Sequence, residues 1–75
     1  MNLAELKSKL TTNLKKAGDQ LDQFEKMQLA INLKIALATV IRYTSGEELE
    51  VRRLELAESI LAEANKIINN RKAIA

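Results

Sequence analysis

MQLAINLKIALATVI, residues 27–41, decides how the rest of this chain must fold. On a helix of 3.6 residues per turn, Leu29, Leu33, Leu37 and Val40 form one apolar stripe. Met27, Ala30, Ile31, Ile35, Ala38 and Ile41 form a second beside it. Only Gln28, Asn32, Lys34 and Thr39 interrupt them. An ordinary surface helix carries one apolar stripe, so this stretch needs several neighbours to cover it. A membrane span is excluded by length, because spanning takes ~20 consecutive apolar residues, and Lys34 stands in the middle.

Outward from this stretch, the chain reads as a single helical domain of three segments. Residues 1–17 form an N-terminal segment, residues 19–43 a central helix and residues 46–72 a C-terminal helix. Asn2, with Glu5 three residues on, marks the first N-terminus. The seam Leu3, Leu6, Leu10, Leu14, Ala17, Leu21 and Phe24 then keeps spacings of three and four. Gly18 followed by Asp19 reads as a helix end and a new N-cap, so a break or kink is expected there. Thr11, Thr12 and Asn13 are weak helix formers in the first segment.

Ser45 and Glu48 stand at capping-box spacing, which places Ser45 at the N-cap of the last helix. That helix carries Leu54, Ala57, Leu61, Ala64 and Ile68 as its seam. Central and C-terminal helices of ~37 and ~40 Å are matched in length and form an antiparallel hairpin. With 75 residues, two partner helices leave residues 27–41 incompletely covered. Exposing three or four Leu or Ile side chains forfeits roughly 1.5–3 kcal/mol each. Self-association is the expected remedy, most simply a dimer of hairpins closing a four-helix bundle. Leu29, Leu33, Leu37, Val40, Ile31 and Ile35 are the expected interface.

Composition strikes out most chemistry. The chain has no cysteine and no histidine, so it has no thiolate or imidazole metal site, no Ser-His-Asp triad and no Cys-His pair. Gly18 and Gly46 each stand alone, so there is no glycine-rich phosphate loop. The acids of the C-terminal helix alternate with bases at i,i+4, as Glu48 does with Arg52, the pattern of a solvated face. No catalytic residue, cofactor or metal is expected. The absence of cysteine fits a reducing compartment, and acids and lysines interrupt the first stretch where a leader's apolar core would lie, so a cytoplasmic location is expected.

A net charge of +2 does not call for a polyanionic partner. Lys7, Lys9, Lys15 and Lys16 lack the aromatic company that single-stranded nucleic acid would use, which leaves nucleic acid as the weakest of the binding readings. The sharper candidate is a cluster at the hairpin turn. Arg42 and Tyr43 close the central helix and Arg52 and Arg53 open the next, where guanidinium groups beside a ring could hold a nucleotide or another small anion. Glu47 and Glu48 count against it, because they occupy the helix N-terminus where an anion would dock. The primary expectation is a non-enzymatic, oligomeric binding protein, a regulator or inhibitor acting through protein contacts with itself and with a further protein.

Overall fold

The computed structural model describes residues 2–47 and 49–74, the last three by their backbone alone. It holds four α-helices and, among the described residues, no strand. They are α1 (Leu3–Gln20), α2 (Gln23–Leu33), α3 (Leu37–Tyr43) and α4 (Leu54–Ile74), with a short 3-10 turn at Val51–Arg53 leading into α4. α4 lies mainly along α1 and less extensively along α2, while α3 folds back to touch α1 and α4. The radius of gyration is 12.0 Å.

α1 starts where its caps indicate, with the Glu5 amide donating to Asn2 Oδ1 at 2.9 Å. It buries Leu10, Leu14 and Ala17 from the seam. The Thr11 hydroxyl donates to the Lys7 carbonyl at 2.8 Å, which lets a weak helix former sit inside the helix. The expected break at Gly18 is displaced: α1 runs through it to Gln20, and the chain turns at Leu21 and Asp22. The true N-cap is Asp22, in a complete capping box. The Glu25 amide donates to Asp22 Oδ1 at 2.7 Å, and Glu25 Oε1 accepts from the Asp22 amide at 3.0 Å. Two donors at the start of α2 are satisfied reciprocally, which Asp19 could not have achieved without a Glu or Gln three residues on.

A single central helix over 19–43 is not formed. α2 ends at Leu33, and Lys34 takes the left-handed conformation with φ 58° and ψ 43°. The Ile35 amide donates to the Ala30 carbonyl at 3.0 Å and the Lys34 amide to the Ile31 carbonyl at 3.2 Å. This pair of bonds is a Schellman ending. Breaking the helix gives its two halves independent directions, so α2 buries Leu29 and Ala30 while α3 buries Val40 and Tyr43 in the same core. The sequence has no glycine or asparagine at Lys34 to announce the break.

The last boundary also moves. Ser45 does not cap a following helix; its hydroxyl donates back to the Arg42 carbonyl at 2.7 Å. Thr44 Oγ1 donates to the Val40 carbonyl at 2.8 Å. Both hydroxyls therefore close the carbonyl end of α3. Gly46 follows with φ +91°, a conformation that favours glycine. Leu49 is then buried as an anchor before the chain re-enters a helix. The expected pairing of Ser45 with Glu48, and of Glu48 with Arg52, falls on Glu48, outside the described residues.

The resulting core joins Leu10, Leu14, Ala17 and Leu21 to Leu29, Val40 and Tyr43, with Ala57, Ile60, Ala64 and Ile68 from α4. Leu14, Leu29, Val40 and Ile60 are its largest fully enclosed side chains. Each contributes roughly 1.5–3 kcal/mol relative to exposure.

Candidate functional site

Three of the four residues of the turn cluster come together. Arg42 and Tyr43 from α3 and Arg53 from the 3-10 turn line a shallow depression of about 150 Å³ with Glu47, Leu49 and Glu50. Arg52 is not among its lining residues; its Nε donates to Glu50 Oε2 at 2.7 Å in an exposed pair. Arg53 Nε lies 3.8 Å from the same carboxylate oxygen. The bond from Arg52, reinforced by the charges of Arg52 and Arg53, holds the Glu50 carboxyl below its usual range. Tyr43 is buried and forms floor rather than a free stacking face. The lining combines the carboxylates of Glu47 and Glu50 with the guanidinium groups of Arg42 and Arg53, and the exposed Arg52 adds a third cation at Glu50. Glu47, expected to count against an anion here, does line the depression, and Glu50 joins it.

The expected interface residues are dispersed by the break at Lys34. Leu29 and Val40 are enclosed in the chain's own core and offer nothing to a second copy. Leu33, Ile35 and Leu37 are partly buried against that core. Ile31 alone of the six is open, at 64% exposure.

Ile31 belongs to a different surface from the one expected. Phe24 is 79% exposed and Met27 44%. Phe24, Met27 and Ile31 recur at spacings of three and four, so they share one face of α2. Leu29, Ala30 and Leu33 lie on the opposite side of the helical wheel, toward the core. α2 is therefore apolar on two opposite faces, with only one covered. Phe24 does not continue the seam of Leu10, Leu14, Ala17 and Leu21, because the chain turns at Leu21 and Asp22 before it.

The edge of this face beside α4 is polar and tied down. Gln28 Nε2 donates to Asn32 Oδ1 at 2.8 Å, and Asn32 Nδ2 donates to Glu63 Oε1 at 3.1 Å. Near the start of α2, Arg71 Nη1 donates to Glu25 Oε1 at 2.9 Å and Nη2 to the Gln20 carbonyl at 3.0 Å. Between these ties runs an open groove of about 490 Å³, lined by Gln28, Asn32, Lys66 and Asn70 among others. Both ends of α2 are thereby fixed to α4, so its outer face is held in one position.

Among the described residues no helix is long and apolar enough to cross a membrane, and no group of three or more acids stands where it could hold a metal ion. No family model, curated protein or solved structure matches the chain.

Proposed function

We propose that this chain is a non-enzymatic binding protein, a regulator or inhibitor that acts through protein contacts made by the outer face of α2. The observation that carries the reading is the open stripe of Phe24, Met27 and Ile31 on a helix fixed at both ends. Large apolar side chains scattered singly on a surface need no explanation, but three in register on one rigid helix form the anchor set of a helix-mediated contact. Aromatic and methionine side chains are also those that protein interfaces favour.

The experiment is comparative capture. Wild-type chain and the Phe24→Glu/Ile31→Glu double variant are immobilised side by side and exposed to an extract of the source cells. The reading expects the wild type to retain polypeptides, further copies of this chain included, that the double variant fails to retain while keeping wild-type helicity. Equal retention by both would refute it.

Sequestration of a small anion at Arg42, Tyr43, Arg52 and Arg53 is the lesser reading. Glu47 and Glu50 stand among the arginines at the depression, and Arg52 is turned to Glu50. It expects nucleotides or inorganic phosphate at millimolar concentration to raise the melting temperature, and unchanged melting with all of them would sink it.

A further inference from the structure

Arg42 and Arg53 each line two separate depressions. The one described above also holds Glu47 and Glu50. The other, of about 210 Å³, is lined by Ala38, Thr39, Arg42 and Arg53 and has no carboxylate in its wall. Ala38 and Thr39 stand four and three residues before Arg42, so the three share one face of α3. Arg53 reaches the same hollow from the 3-10 turn.

The polar groups of this hollow are not used by the fold. The Arg42 guanidinium and the Thr39 hydroxyl make no hydrogen bond or ion pair among the described residues. Arg42 is not needed to close the end of α3, because the Val40 and Arg42 carbonyls there accept from the hydroxyls of Thr44 and Ser45. The approach of Arg53 to Glu50, Nε to Oε2 at 3.8 Å, is beyond hydrogen-bonding distance. Two like charges lining one hollow repel each other until an anion lies between them.

We propose that Thr39, Arg42 and Arg53 bind the phosphoryl group of a small phosphate monoester. Planar guanidinium groups match phosphoryl oxygens with paired N–H donors, and two of them offset a dianion. The Thr39 hydroxyl donates a further bond, and the small Ala38 side chain leaves room for the oxygens. No aromatic side chain lines the hollow, so a nucleobase gains no stacking there and the site reads the phosphoryl group rather than a nucleoside. This site is independent of the outer face of α2. It shares Arg42 and Arg53 with the lesser anion reading, but uses Thr39 in place of Tyr43 and Arg52.

The test follows the arginine Cζ and Thr39 amide resonances of the full chain by NMR at low ionic strength. Methyl phosphate, inorganic phosphate and adenosine monophosphate are the probes, with sodium chloride at matched ionic strength as control. Methyl phosphate should shift Arg42, Arg53 and Thr39 saturably, leave Arg52 in place, and bind as well as the other two phosphates. Arg42→Ala should weaken binding at least about tenfold and Thr39→Ala about threefold, the difference between a charge-assisted and a neutral hydrogen bond. Thr39→Ser should restore it, and all variants should keep wild-type helicity.

Shifts that chloride reproduces would overturn the site. Exclusion of methyl phosphate, or a clear preference for adenosine monophosphate, would overturn the phosphate monoester as its ligand. Binding that depends on Arg52 and ignores Thr39 overturns this site and leaves the lesser reading standing. None of these results bears on capture through Phe24 and Ile31.

Discussion

A methyl group placed on Gly18 would stand 2.6 Å from Thr44 Cβ. Gly18 therefore serves contact between α1 and the end of α3, rather than the helix ending that its sequence neighbours indicate. Helix propensity alone predicts that Gly18→Ala stabilises an α1 interior position by about 1 kcal/mol. Overpacking predicts the opposite, a loss of roughly 1–3 kcal/mol. We expect the loss, because Thr44 is itself pinned by its hydroxyl to the Val40 carbonyl. Urea denaturation of Gly18→Ala decides the sign.

Lys34 carries the only positive φ found at a non-glycine position among the described residues. The left-handed conformation costs an L-residue roughly 1–2 kcal/mol and glycine almost nothing. Lys34→Gly should accordingly raise stability by about 0.5–1 kcal/mol, while Lys34→Val should lower it, since β-branched residues resist this region most. Thermal melts at dilute concentration check the order Gly above Lys above Val.

Ala36 is the N-cap of α3 and makes no side-chain capping bond. Replacing it by Ser or Asp should stabilise the protein by roughly 0.5–1 kcal/mol, because an exposed amide of the first turn gains an acceptor. The equilibrium unfolding midpoint should rise without a change in its denaturant slope.

The lowered pKa of Glu50 has a defined signature. Arg52 supplies the hydrogen bond and the larger charge effect, with Arg53 behind it. In a carboxylate-detected NMR titration Glu50 should titrate below the ordinary Glu range, and Arg52→Ala should move it back further than Arg53→Ala. A depressed acid contributes stability that is present above its unfolded pKa and lost as pH falls through its folded pKa. Glu50→Gln should remove that acid-side component, and added salt should diminish it in the wild type, because the pair is exposed.

How far the fold was legible depends on which signals compete. The seam Leu10, Leu14, Ala17 and Leu21 was readable because helical periodicity is strong over a long amphipathic segment. Asp22 and Glu25 were readable as a capping box too, but the commoner signal of Gly18 and Asp19 masked them. Lys34 offered no signal, since lysine has no preference for positive φ. Ser45 illustrates a two-way residue: its hydroxyl can cap the helix after it or the carbonyls before it, and here it donates to the Arg42 carbonyl. Arg42, Tyr43 and Arg53 do line one depression, with Glu47 and Glu50 beside them. Of the expected interface, Leu29 and Val40 lie inside the core while Ile31 is open.

The most direct test of the account is the stability of Ile31→Glu against that of Leu29→Glu, measured by denaturation at concentrations too dilute for association. These side chains lie on opposite faces of α2, one open and one in the core. Ile31→Glu should match the wild type within about 0.5 kcal/mol, and Leu29→Glu should be unfolded, because it buries a charge without a partner. An Ile31→Glu variant destabilised by several kcal/mol would place Ile31 in the core and remove the free face from which the binding proposal starts.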